Sequence, residues 1–505
     1  MAATSDMRTI LLEQIARTSL SSKLEIRQLI EDSASKAASI DREIAHLNAH
    51  RAKLEPTAFA SELASRSKLR DRELATAAAL HSIIAPVCAL PVELLVEIFT
   101  LTIRMEAPHF ADVFRVTHVC SEWREIAHGA PQLWTGPIEL YVGRGWDDSR
   151  HVNGLRWWLA RSAPLSLAVS MNPTEESLPA LEKELVNISP RWRSLKLRKL
   201  PPSSFLSRLA ERGLENLEEL ILPFARDPEE GRALSFGVTP RLRKLTAWFI
   251  PNSLNVPWAQ LTDVCMVWQG ASGFNPLDIL VQCPKLVQLS LIVPSLSTLP
   301  PSGADIILLP HLCTLNFEFL GSGEYFTPFL ERLSAPALES FRLDPGINAV
   351  WMEPTVTAFQ LRSPNVTHLE LFIDRLTSAD LRTVLLHTPS LTHLEVHKRR
   401  TNDTAFPRVL QYHDGEEALV PRLHDLIINC SFFRAMDTEA EKALMETIAS
   451  RWWTDSQPAL RSVPSAVARW TRVVVTSRFA FGPNMQAMAD TLADEGLDVK
   501  LMQSA

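Results

Sequence analysis

Along the middle of the chain, hydrophobic residues recur in one spacing, Pro-x-Leu-x-x-Leu-x-Leu, about ten times between Trp192 and Ile428. Named by their three apolar positions, the frames are Trp192/Leu195/Leu197, Leu217/Leu220/Leu222, Leu242/Leu245/Ala247, Leu261/Val264/Met266, Leu286/Leu289/Leu291, Leu312/Leu315/Phe317, Leu338/Phe341/Leu343, Val366/Leu369/Leu371, Leu391/Leu394/Val396 and Leu423/Leu426/Ile428. First positions lie 19 to 32 residues apart, and six of the nine steps are 25 or 26. Eight frames carry proline two residues ahead of the first position, from Pro190 to Pro421, which a merely leucine-rich globular stretch does not explain. The second and third apolar positions are two apart, so they share one face of a short strand while the residue between them takes the other. Proline lacks an N–H and fits the turn that precedes a strand. Each unit is therefore a turn, a strand and a returning segment, and stacked units share a continuous core with a parallel sheet on one side. Residues 203–212 and 379–386 read as helices on the returns.

This spacing resembles the leucine-rich repeat, which implies an α/β solenoid with a parallel sheet. That family places Asn or Cys three residues past the third apolar position. Here those sites are Leu200, Ala225, Ile250, Gln269, Pro294, Leu320, Gly346, Asp374, Arg399 and Ser431, so an irregular, variably curved arc is expected. Beyond the frames, 437–453 reads as a helix with Thr438 and Glu441 at capping-box spacing. Strands follow near 472–476 and 496–502, as terminal repeats and a cap.

From about residue 10 to residue 80 the sequence is rich in Ala, Leu, Glu, Lys and Arg, with Ile40, Ile44, Leu47 and Leu54 on one helical stripe. A long amphipathic helix is predicted, interrupted near Glu55 and Pro56. It is either a coiled coil that self-associates, a segment packed back on the body, or a frayed tail. His46 and His50 lie one turn apart but have no third ligand nearby. The domain reading is an N-terminal helical segment over 1–83, a small helical box over 84–136, the solenoid over 137–430, and terminal repeats with a cap over 431–505.

The box opens with APVCALPVELLVEIFTLTIR, continues with VTHVCSEWREIA and ends with PQLW. Pro91 suits a helix start, where its missing N–H costs nothing. Leu90, Leu94, Ile98 and Leu101 form one stripe, widened by Leu95 and Phe99, and Val119, Trp123 and Ile126 form a second. This ordered set, over 85–134, resembles an F-box. A module of about fifty residues is marginal alone, which favours docking on a partner. The resemblance implies that the partner is the Skp-type adaptor of a cullin ubiquitin ligase. It also implies that Leu90, Pro91, Leu94, Leu95, Ile98, Val119, Trp123 and Trp134 lie in or support that interface. The layout of helix, box and irregular repeats is similar to the mushroom-type fungal F-box family, in which the repeats recognise substrate. Val92 and Ala89 stand where that family often has other residues.

Composition narrows the class. With 505 residues, 46 % hydrophobic and 22 % charged, the chain reads as a soluble globular protein. No run of about 20 apolar residues could span a membrane, and the N-terminus lacks the basic and apolar regions of a secretory signal. Cytoplasmic or nuclear localisation is expected, and the four Asn-x-Ser/Thr matches are then silent. The six cysteines are irregularly spaced, without a zinc pattern, and read as reduced thiols. A net charge of −7 gives no reason to expect nucleic acid, and the run Arg191, Arg193, Lys196, Arg198 and Lys199 reads as solvated surface.

Residues that alternate with the core leucines face the concave side, and the expected substrate-binding set is Trp248, Arg342, His368, Glu370, Phe372, His393, Glu395 and His397. In register on adjacent strands, Glu370 faces Glu395 and His368 faces His393. One carboxyl pKa should then rise unless a basic group lies between the two. Such a patch suits a basic peptide, a metal ion held by imidazole and carboxylate, or simply a solvated surface buffered by its histidines. No phosphate loop, nucleophile elbow or metal signature is present, so no catalytic residue, resident metal or cofactor is assigned. The sequence therefore predicts a non-catalytic substrate receptor of a Skp–cullin–F-box ligase. The alternative is a repeat scaffold with no ubiquitin role.

Overall fold

The computed structural model describes residues 20–51, 55–84, 86–103, 109–141, 148–172, 178–223, 234–248, 254–269, 276–295, 305–320, 327–346, 351–372, 376–398, 407–413, 419–430, 438–453 and 467–503. Leu54, Ala225, Ile250, Asp374, Arg399, Ser431 and Asp437, named above, lie outside them. The chain divides into two compact units, Met1–Arg104 with Phe110–Leu133 and Met105–His109 with Trp134–Ala505.

In the first unit the predicted long helix is two helices, α1 (Leu20–Ala49) and α2 (Pro56–Ile84). Pro56 opens the second one, the position proline tolerates best. The two run antiparallel: Arg70 reaches back to Asp41 at 3.4 Å, and Arg66 pairs with Glu43. Ile30, Ala37 and Ile40 of α1 and Ala77 of α2 are buried at their contact. Within the chain, the helix thus packs against its own continuation.

Three short helices follow: α3 (Val92–Thr102), α4 (His109–Thr117) and α5 (Ser121–Gly129). Pro91 is the residue just before α3, and its carbonyl accepts the N–H groups of Leu94 and Leu95, both at 3.1 Å. Cys120 caps α5 by accepting the Trp123 N–H at 3.4 Å. Leu95, Phe99, Ile103, Val113, Val116, Ala127 and Leu133 are buried, and the rings of Phe99 and Trp123 meet at 4.7 Å.

The second unit carries one sheet of fourteen parallel strands in sequence order: β1 (Ile138–Tyr141), β2 (Leu167–Asn172), β3 (Trp192–Leu197), β4 (Glu219–Leu222), β5 (Lys244–Ala247), β6 (Asp263–Gln269), β7 (Gln288–Ser295), β8 (Thr314–Phe319), β9 (Ser340–Asp344), β10 (His368–Phe372), β11 (His393–Lys398), β12 (Asp425–Cys430), β13 (Arg472–Ser477) and β14 (Asp498–Gln503). Strands β3 to β12 are the ten frames, and every apolar frame residue is at most 3 % exposed. Register is kept frame to frame, as in Leu315↔Phe341, Phe341↔Leu369 and Leu369↔Leu394. It shifts at Leu167/Ala168 and at Val267/Gln269, where the ladder is irregular.

Return helices span Ser203–Arg212 and Ser378–Leu386. The second starts on a full capping box, in which Thr377 and Asp380 exchange side-chain and backbone bonds. The helix Thr438–Ser450 is present, but the carboxylate of Glu441 accepts the Gly482 N–H at 2.9 Å, which ties it to a later segment.

Other side chains bridge repeats where the usual Asn or Cys is missing. Asn216 donates to the Pro190 carbonyl and Asn365 to that of Pro336, each at 2.7 Å. Threonines just after the first frame position bond the preceding repeat: Thr367 to Glu339 O at 3.2 Å, Thr392 to Thr367 O at 3.0 Å and Thr471 to His424 O at 3.1 Å. In the basic run, Arg191 turns inward and holds Leu165 O at 2.8 Å and Ser162 Oγ at 2.9 Å. Burial pushes its pKa down.

Phe317 packs against Phe319 and Phe329 in this core. Phe317→Ala should cost about 3–5 kcal/mol in denaturant unfolding. Lys196→Ala, on the exposed face of β3, should change stability by no more than about 0.5 kcal/mol.

Candidate functional site

Two surfaces carry the residues singled out by the sequence, one in each unit. On α3 the apolar stripe divides into two faces. Leu95 and Phe99 point into the helical core, whereas Leu94 is 51 %, Ile98 38 % and Leu101 78 % exposed. Pro91 and Val92 are also exposed, and Leu90 and Trp123 are half-buried. Val119 at the α4–α5 turn is 60 % exposed, and Phe114 on α4 also projects into water. Leu95 is buried, so it supports this surface from beneath. Trp134 belongs to the repeat unit: it is fully buried, edge-on to Trp157 and Trp158 at 4.9 Å each, and so offers no docking surface. Phe114 and Val92 are missing from the sequence-based set because α4 has no motif of its own, and periodicity alone cannot say which side of a short helix is covered.

On the sheet, β8 to β13 frame a trough of about 270 Å³ lined by Asn316, Ser340, Arg342, His368, Glu370, His393, Glu395, Asp425, Ile427 and Arg472. Glu370 is opposite Glu395, and His368 opposite His393. The imidazoles of His368 and His393 stack with centroids 4.0 Å apart, and His424 meets His393 edge-on at 5.2 Å. The repeat-bridging threonines fix these rings, with Thr367 Oγ1 2.9 Å from His368 Nδ1 and Thr392 Oγ1 2.8 Å from His393 Nδ1. Burial, and then the neighbouring His368, lower the pKa of His393, although Asp425 lies 3.4 Å from its Nε2.

A basic group does lie between the glutamates. His397 Nε2 is 2.9 Å from Glu370 Oε1 and 3.1 Å from Glu395 Oε1. Neither oxygen aligns with it for a directed hydrogen bond, so the contact is chiefly ionic. Arg342 pairs with Glu370 at 3.0 Å, and the Asn429 amide donates to Glu395 at 2.6 Å. Phe372 stacks flat on His397 at 4.0 Å. As a result the Glu395 pKa falls, chiefly through His397. Burial acts to lower the His397 pKa, but the two carboxylates outweigh it and the net shift is upward. The expected rise of a glutamate pKa is therefore replaced by a proton held on histidine. Glu370, Glu395 and His397 also place one potential metal-ligand atom each within 4.8 Å of one another.

Seven of the eight expected substrate-binding residues thus lie together on β9 to β11. Trp248 stands apart, at the end of β5, five strands or about 24 Å from β10. Asn429, Asp425 and Arg472 join the cluster although the sequence reading left them out. The alternation that exposes Glu395 also exposes Asp425 and Asn429 on β12.

A family model described as F-box-like matches residues 87–138. No curated protein matches the chain. Among solved structures, the chain is similar to the leucine-rich repeat-containing protein LegL7 from Legionella pneumophila, with a TM-score of 0.33 and 12 % identity over 71 % of this chain and 97 % of that one. The repeat architecture itself rests on the strand register. The chain joins an F-box-like module to a parallel-strand repeat solenoid. Among its described residues no helix is long and apolar enough to cross a membrane.

The proton on His397 sets a pH dependence. Its raised pKa gives a contribution that is complete below about pH 6.5 and is lost as pH rises through the folded value. The depressed pKa of Glu395 gives one that is lost only as pH falls through that lower value. Melting curves should show the wild type losing stability relative to His397→Gln between pH 6 and pH 9, by less than about 1 kcal/mol because the groups are partly hydrated.

Proposed function

We propose that this protein is a non-catalytic substrate receptor of a Skp–cullin–F-box ubiquitin ligase. In this reading the helical module docks the Skp-type adaptor, through which a cullin is recruited, and the repeat sheet binds the target protein. The layout fits the mushroom-type fungal F-box family. The observation that carries the reading is the exposed apolar face of α3. Leu94, Ile98 and Leu101 face water on a helix whose other side already fills the module's core through Leu95 and Phe99. Apolar area left in water after the core is complete favours a protein partner, and the F-box-like match over 87–138 supports the adaptor as that partner. F-box and leucine-rich-repeat modules are typically interaction modules, which agrees with a receptor. Localisation would be cytoplasmic or nuclear, where such ligases act. On this reading Pro91, Leu94, Ile98 and Val119 touch the adaptor, Leu90 and Trp123 flank the contact, and Leu95 holds the helix in place.

Binding of the full chain to a purified Skp-type adaptor tests this directly. Leu94→Asp should weaken binding by about 2 kcal/mol or more, roughly thirty-fold, at an unchanged melting temperature. Leu95→Asp should unfold the module instead, because its side chain is 2 % exposed. No binding by the folded wild type, or equal binding by folded Leu94→Asp, would leave a repeat scaffold without a ligase role.

A further inference from the structure

We propose that Glu370, Glu395 and His397 form a site for one zinc-type divalent cation on the open face of the repeat sheet. The donor atoms already converge: His397 Nε2 lies 2.9 Å from one carboxylate oxygen and 3.1 Å from the other. Donors around a tetrahedral zinc with bonds of about 2.0–2.2 Å sit roughly 3.3–3.6 Å apart, so the cluster needs only a slight widening to admit the ion. Nε2 is shielded from water, points between the carboxylates and has no directed hydrogen bond.

Each ligand is also held from behind, as metal ligands require. Asn429 donates to Glu395 at 2.6 Å, Phe372 fixes the His397 ring plane at 4.0 Å, and Arg342 pairs with Glu370. An imidazole nitrogen among the donors selects zinc over magnesium or calcium, which prefer oxygen alone. Both glutamates line the trough, leaving the remaining coordination position to water or a bound target. On binding, the ion takes the Nε2 lone pair and the proton held there leaves to solvent. Arg342 opposes the ion by competing for Glu370. This inference is independent of adaptor docking and is tested with metal alone.

The experiment is calorimetric titration of chelator-treated full-length protein with zinc chloride, repeated in two buffers of different ionisation enthalpy. The expected result is one tight ion per chain with net proton release, and no matching site for magnesium. Below the His397 pKa, affinity should fall about tenfold per pH unit as the proton competes. Folded Glu395→Gln and His397→Gln should each weaken binding at least tenfold, whereas Arg342→Gln should tighten it. Asn429→Ala, which keeps all three ligands, should give an intermediate loss. No stoichiometric zinc binding by the wild type would overturn the proposal. So would unchanged binding by folded His397→Gln, which would place the ion at other histidines.

Discussion

Parallel, in-register stacking of short strands is the constraint on which the rest of the repeat unit depends. A single turn and strand cannot enclose its three apolar residues, but fourteen strands in sequence order enclose them against their neighbours. The backbone ladder also sets like position beside like position. Leu315, Phe341, Leu369 and Leu394 therefore form one continuous buried row. The same rule acts on the other face of the sheet, where similar repeats bring glutamate beside glutamate and histidine beside histidine. Hydrophobic repetition stabilises the core, whereas charged repetition must be answered locally.

The answer on β9 to β12 is a chain of side chains from different repeats. Arg342 neutralises Glu370, His397 lies between both glutamates, and Asn429 completes the shell of Glu395. This leaves the trough polar but close to electrically balanced. A strongly basic segment is therefore a weaker match than the two glutamates alone would imply. The helical unit follows the opposite logic: its charged positions are ordinary, and its apolar surface exceeds what its own core can cover. One unit thus offers a chemically ordered polar surface, and the other offers an apolar helix face.

Much of this was legible in the sequence because it repeats. The frame spacing marked ten strands, and alternation within each frame assigned the buried and open faces. The prolines marked the turns. Where repetition fails, so does the reading. Strands β1 and β2 lack a full apolar triplet, and only position 137 as the start of the solenoid anticipated them. The break at Pro56 was visible, but not that the second helix would fold back on the first, since that depends on small residues such as Ala37 and Ala77 allowing close approach. The stripe on α3 was legible as apolar but not as two-sided. Trp134 sits at the end of the box motif, yet it is claimed by Trp157 and Trp158, far enough along the chain that no local pattern signals the contact. The His397 bridge was invisible for a related reason: alternation placed the ring on the correct face but could not show it turning towards both carboxylates.

The central claim is that the exposed side of α3, and not the repeat sheet, receives the adaptor. Amide hydrogen exchange of the full-length chain, with and without a purified Skp-type adaptor, tests it most directly. The account predicts slowed exchange across α3 and the turn at Val119, with β8 to β13 unchanged. Protection confined to the repeat strands, or none on α3 under saturating adaptor, would contradict it.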